Sequence, residues 1–181
     1  MIEMRRKDRQ VTDGAAIDAI IRGCDCIRLA FPVGDGAPYI LPLNFGFVHE
    51  GEKRVFYFHS AKKGRKLDLA RERPLVGFEL DRGGELVSGP AACDYAYRFQ
   101  SVIGTGRLEP VEDEAERLRG LGCLMGQYTG RSEGWDFSRM LAAVEVLRLT
   151  GEELSCYYRP PQGKFSQENL RQAQALGYRT V

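Results

Sequence analysis

The chain has 181 residues, with 26 basic and 25 acidic side chains and a formal net charge of +1. That length suits one domain with a proper core rather than two. The balance of charge excludes a global field drawing the molecule to nucleic acid or anionic lipid, so any anion site must be built locally.

The first expected element is a helix over 12–23, "TDGAAIDAIIRG". Thr12 or Asp13 caps it, Ile17, Ile20 and Ile21 form its apolar stripe, and Gly23 ends it. Three strands follow, "CDCIRLAF", "YILPLNFGFV" and "VFYFHS", joined by the turns "PVGDGAP" and "HEGEKR". Short Gly-rich turns between them point to an antiparallel meander. After a cationic loop, "RKLDLARERP" reads as a short helix closed by Pro74, and "LVGFELD" as the next strand. The loop "RGGELVSGPAACDYAY" leads to the strand "RFQSVIGTGRLEPV", whose glycines suit a bulge or a close approach to a ligand. "EDEAERLRGLGCLMGQYTG" is the clearest helix, acidic at its start and with Leu118, Leu121, Leu124 and Met125 on one face. "MLAAVEVLRLTGEELSCYYR" carries a closing strand with Val144, Val146 and Leu149, and a polar tail follows Pro160 and Pro161.

Closely spaced strands with occasional helices do not fit a doubly wound parallel sheet, which needs strict alternation. They predict a mainly β chain, a small antiparallel barrel with helices at its rim. No apolar run reaches the about 18–20 residues of a spanning helix. The charged start has no apolar stretch behind it and does not read as a secretory signal. The cysteines, Cys24, Cys26, Cys93, Cys123 and Cys156, are odd in number and lack a C-x-x-C pair. They predict buried free thiols in a reducing cytoplasm rather than a disulfide framework.

The informative stretch is "FHSAKKGRK", where a strand runs into Lys62, Lys63, Arg65 and Lys66. It reads either as a solvated charge run or as an anion seat. Ser60 supplies a hydroxyl at the strand end, Gly64 allows close backbone approach, and Arg65 and Lys66 stand where a helix begins. Cations at a helix N-terminus oppose the macrodipole, and a bound anion removes that penalty. His59 alone reads as a structural residue, and with only His49 besides it there is no ordinary zinc site. No nucleophile elbow, P-loop or Rossmann glycine pattern is present; "GTGRLE" lies inside a strand. Trp135 reads as a packing residue or as a platform for a planar ring.

Several pieces in this order, "MRRKDRQVTD", "PYILPLNFGF", "VFYFHSAKKGRKLDLARERPLVGFELD", "YRFQSVIGTGRLEPVED" and "VEVLRLTGEELSCYYR", resemble one family. It is the flavin-binding split-barrel family related to pyridoxamine 5′-phosphate oxidase, and within it the 5-nitroimidazole resistance (Nim-type) branch. The resemblance runs from about residue 3 to residue 159. It implies a six-stranded antiparallel split barrel over residues 1–160, with 161–181 as a polar C-terminal tail. It also implies a homodimer with a flavin, FMN or FAD, at each end of the subunit interface. The phosphate would be held by Ser60, Arg65 and Lys66, with Gly64 beside them. The ring would be lined by Pro42, Leu43, Asn44 and Phe45, and reached by Gln100 or Ser101. The Nim-type branch places His59 beside the site, where it could donate a proton. The oxidase's C-terminal substrate contacts have no counterpart here, so that substrate is not carried over.

The resemblance thus implies an FMN-dependent oxidoreductase passing electrons to a small organic acceptor, such as a nitroaromatic. Two alternatives stay open: a haem-binding or non-catalytic module of the same fold, with His59 or His49 as ligand, and a deazaflavin-dependent reductase. Neither a nucleic-acid partner nor a membrane is expected.

Overall fold

A computed structural model describes residues 6–159. The expected tail over 161–181 lies outside the described residues. The chain is mainly β and antiparallel, with β1 (Gln10–Val11), β2 (Ile27–Phe31), β3 (Tyr39–Leu43), β4 (Gly46–Glu50), β5 (Lys53–Ala61), β6 (Leu75–Val87), β7 (Ala96–Pro110) and β8 (Val144–Arg159). Four α-helices accompany them: α1 (Gly14–Arg22), α2 (Arg65–Glu72), α3 (Glu114–Thr129) and α4 (Ser138–Ala143). The strands follow the order β3-β2-β6-β7-β8-β5-β4, with β1 paired to β8, and the sheet does not close.

The six strands expected become eight for local reasons. "YILPLNFGFV" breaks at Asn44 into β3 and β4, because β3 pairs with β2 whereas β4 turns to pair with β5. The pair Gln10↔Tyr157 and Val11↔Cys156 adds the short β1. Half of the supposed loop over 82–97 is strand, since β6 runs to Val87 and β7 starts at Ala96, with one 3-10 turn at Ala92–Asp94 between them.

The chain divides into two compact units. One gathers the described residues up to Asp25, then Glu79–Ile103, and those from Leu154 onward. Here α1 is capped by Asp13, whose carboxylate accepts the Ala16 N–H at 2.8 Å, and it buries Ala16, Ile17, Ile20 and Ile21 as its periodicity requires. Cys24 and Cys156 are buried, and burial pushes the Cys24 thiol up to about 12. Cys93 is exposed on the 3-10 turn, and Cys26 and Cys123 are half-buried, so the expectation of uniformly buried thiols fails. Position 93 faces water because the turn presents no apolar face.

The other unit, Cys26–Phe78 with Gly104–Glu153, carries the larger core. Along β5 the two faces bury different partners. Phe56 sits among Phe45, Phe47 and Phe78 with ring centroids 5.4 to 5.9 Å apart. Such pairs add about 0.5–1.5 kcal/mol each beyond area burial. The opposite face, Val55 and Tyr57, packs with Val146 under Leu121 and Leu124 of α3, with Val111 and Phe137 alongside. Trp135 lies at the edge of that cluster, its indole N–H donating to the Arg131 carbonyl at 2.9 Å. Leu118 was expected on the buried face of α3 but is exposed; Gly120 and Gly122 are buried instead, letting the helix approach closely. The glycines of "SVIGTGR" also have a structural use. A Cβ at Gly104 would stand 2.4 Å from the Glu153 carbonyl and 2.5 Å from the Phe78 ring, so the close approach is to β8 and a core ring rather than to a ligand.

Candidate flavin-phosphate site

β5 delivers Ser60 to the strand end by pairing with β8, in the register His59↔Val146 and Ser60↔Glu145. Strand alternation sends these neighbours to opposite faces. Ser60 is 7% exposed, and its hydroxyl has no hydrogen-bond partner among the described residues. His59 is exposed and projects on the side of Val55 and Tyr57. The side chains of Ser60 and His59 therefore do not converge.

The chain then turns through Gly64, whose φ of 135° is open to glycine and costly for other residues. Gly64 is the N-cap of α2 and offers no side-chain cap, so the first N–H groups of the helix lack a side-chain acceptor there. Arg65 and Lys66 open the helix. Neither has a carboxylate partner among the described residues. Lys66 is half-buried, and burial alone lowers its ammonium below the ordinary lysine value. The guanidinium of Arg65 lies over the Tyr39 ring, 4.5 Å from its centroid, which brings the start of α2 beside the start of β3. Lys62 and Lys63 are exposed.

The expected ring-lining residues divide between faces. On β3, Leu43 shares its face with Tyr39, and Pro42 shares the other with Ile40. Asn44 is exposed between the strands, and Phe45 is fully buried. The Phe45 N–H donates to the Tyr128 hydroxyl at 3.1 Å, fastening the β3–β4 junction to the end of α3. Gln100 and Ser101 lie on β7 within the other unit; Ser101 is buried at 9% exposure and Gln100 half-buried.

Sequence reasoning missed a polar network on the helix-bearing face of β5. Tyr57 donates to Glu116 Oε1 at 3.0 Å, and Arg148 donates to Glu50 Oε2 at 2.7 Å and lies 3.4 Å from Glu116 Oε1. Arg119 is in ion-pair contact with Glu50 Oε1 at 2.6 Å, without an aligned hydrogen bond. No spacing rule links four elements in this way, so no signal could have found it. Burial, then the Glu116 hydrogen bond, then the Glu116 and Glu50 carboxylates, raise the Tyr57 phenol above its ordinary value. The fold favours the neutral phenol, so its contribution holds below about pH 10 and is lost as pH rises through the raised value. Tyr57→Phe is expected to flatten that alkaline loss and to cost about 1 kcal/mol near neutrality, as denaturant unfolding at several pH values would measure.

A cleft of about 710 Å³ in the same unit is lined by Arg71, Arg117, Glu109, Glu112 and Glu145, among others. Ser60, Arg65 and Lys66 do not line it. Among the described residues no cluster of His, Cys, Asp and Glu could hold a metal ion, and no helix is long and apolar enough to cross a membrane.

An antiparallel sheet with a cation-bearing helix start at a strand end defines a class before it defines a family. The family model described as pyridoxamine 5′-phosphate oxidase matches residues 13–157, and the chain belongs to that family. Among solved structures, the fold is similar to a candidate 5-nitroimidazole antibiotic resistance protein from Bacteroides thetaiotaomicron VPI-5482. That match has a TM-score of 0.68 and 26% identity over 81% of this chain and 84% of that one. Two others share the fold at lower identity. The flavocytochrome Anf3 from Azotobacter vinelandii has a TM-score of 0.66 and 22% identity over 93% of this chain and 78% of that one. An FAD and haem binding protein from Mycobacterium smegmatis has a TM-score of 0.68 and 21% identity over 91% and 80%. No curated protein matches.

Proposed function

We propose that the protein is a flavin-binding oxidoreductase, with FMN as the first candidate cofactor and FAD as the second. The observation that carries this reading is a set of polar groups without protein acceptors or counter-charges among the described residues, gathered at one strand-to-helix junction. Among the described residues the Ser60 hydroxyl, on a residue 7% exposed, has no partner, the half-buried Lys66 has no counter-charge, and Arg65 has no carboxylate. A phosphate monoester or diphosphate fits that donor set, because it is the anion that Lys66 and the start of α2 both lack. Family membership and flavin-binding names among the similar structures support flavin as its bearer.

Ser60, Arg65 and Lys66 would hold the phosphate, and the β3–β4 junction, Leu43 to Phe45, would border the ring. A bound flavin supplies two-electron transfer between a reduced donor and a small organic acceptor. A nitroaromatic such as a 5-nitroimidazole is the acceptor suggested by the Bacteroides protein. His59 would protonate the acceptor only from the strand face opposite Ser60, so its role is tested apart from the cofactor. Loss of turnover in His59→Asn with unchanged flavin content supports that role.

We further propose that these strands, with β3 and β4 counted as one broken strand and the short β1 set aside, serve as a six-stranded split barrel, the catalytic framework of a homodimer. Ile40 is 58% exposed and Leu75 51% exposed; Ile40 is paired with Ala30, whose Cβ would lie 3.7 Å from a Cβ at Gly77. Alternation puts all of them on one outer face, an apolar stripe that a second copy would cover. The deciding experiment is release and mass identification of the molecule that copurifies, with the visible spectrum and sedimentation of the same sample. A flavin in a dimer is expected. A Soret band with no flavin would establish the haem-binding alternative instead.

A further inference from the structure

We infer that Tyr39 is a positioning residue for the phosphate seat: it holds the Arg65 guanidinium by its face and leaves its hydrogen-bonding edge free for the anion. This rests on the flavin-phosphate reading of the same site and deepens it. Arg65 is exposed at the first position of α2, where a long side chain samples many rotamers and would lose that freedom on binding. Its Cζ lies 4.5 Å from the Tyr39 ring centroid, well within the range of a cation–π contact. A guanidinium held over a ring by cation–π attraction is not committed to a carboxylate, so its N–H donors stay available to an anion. The ring therefore restricts where the cation sits without competing for the phosphate, as a carboxylate partner would.

The ring is itself anchored. Tyr39 is the register partner of Phe31, their centroids are 6.1 Å apart, and Phe31 is fully buried. A line of contact thus runs from the core through Phe31 and Tyr39 to a cation at the surface. Lys66 needs no such support, because burial already restricts it.

FMN and riboflavin differ by one phosphate, so the ratio of their dissociation constants isolates the seat. Both are titrated by flavin fluorescence against the whole chain and its variants. The wild type is expected to favour FMN, and Arg65→Ala to remove much of that preference. Tyr39→Leu is expected to weaken FMN about fivefold while changing riboflavin by less than about twofold, and Tyr39→Phe to retain the wild-type ratio. Tyr39→Met serves if the leucine variant folds poorly. A combined Tyr39→Leu and Arg65→Ala variant is expected to be no worse than Arg65→Ala alone. If Arg65→Ala leaves the ratio intact, the phosphate reading itself is wrong. If Arg65→Ala collapses the ratio while Tyr39→Leu preserves it, or weakens both ligands equally, Tyr39 does not orient Arg65.

Discussion

Replacing both cations, Arg65→Ala with Lys66→Ala, is expected to weaken FMN binding at least about a hundredfold while leaving riboflavin within about threefold. Hydrogen bonds to charged groups are worth about 1.5–3 kcal/mol each when one partner is removed, and two are lost here. The pair should not act alike. Arg65 is exposed and held by the Tyr39 ring, whereas Lys66 is half-buried with no carboxylate partner among the described residues. An unpaired ammonium in partial burial stabilises nothing in the empty protein. Lys66→Met should therefore leave the ligand-free chain equally or more resistant to denaturant, while it abolishes most of the FMN preference. A lysine retained for folding would behave in the opposite way, with lower stability and unchanged affinity. Equilibrium unfolding without flavin, set beside FMN and riboflavin titrations, separates the two.

The sign of the pH dependence follows from the same burial. Desolvation lowers the Lys66 ammonium, so the empty seat loses its charge at lower pH than an exposed lysine would. A bound phosphate restores the charged form, and FMN affinity is expected to fall with rising alkalinity earlier than ordinary lysine chemistry predicts. In Lys66→Arg that fall should move to higher pH, because the guanidinium does not titrate in this range.

What the sequence revealed and what it hid divide along the range of the interactions. Local chemistry was legible. The Asp13 cap and the apolar stripe of α1 sit where their spacing puts them, and α2 begins at Arg65 as the cationic loop suggested. The family was legible too, since several short motifs in fixed order constrain a chain more than any one of them. Three things were not. The break at Asn44 depends on which strand each half pairs with, and no local signal carries that choice. Leu118 has the helical spacing of a core residue and is nonetheless exposed, because Gly120 and Gly122 turn a different side of α3 inward. The Tyr39–Arg65 stack joins β3 to α2, and nothing in either segment alone announces the other. His59 is the instructive case. The Nim-type resemblance places it beside the site, and the period of two in a strand puts its side chain on the face opposite Ser60, which is why its role is tested apart from the phosphate seat.

The β3–β4 junction offers the second large effect, and it tests the ring side of the site rather than the phosphate side. Gly46 opens β4 directly beneath α3: a Cβ there would stand 2.3 Å from the Leu124 nitrogen and 2.4 Å from the Cys123 carbonyl carbon. Both are backbone atoms of a helix that also packs on Val55, Tyr57 and Val146, so no side chain can swing aside to make room. Gly46→Ala must push the helix or the strand away, at a cost of about 3 kcal/mol, the upper part of the range for overpacking. In a chain of this size that corresponds to a fall in Tm of roughly 6–12 °C. The displacement also strains the hydrogen bond from the Phe45 N–H to Tyr128, and with it the backbone of Asn44 and Phe45. FMN and riboflavin should then lose affinity together, with their ratio preserved, the reverse of the pattern for Arg65 and Lys66. Tyr128→Phe removes that one acceptor and should reproduce the shared loss with a smaller drop in stability, about 1 kcal/mol. Leu118→Ala, on the exposed side of the same helix, should change stability by no more than about 0.5 kcal/mol. A Gly46→Ala protein that melts with the wild type would mean that α3 yields freely at this contact. The junction would then be too loosely held to shape a flavin wall.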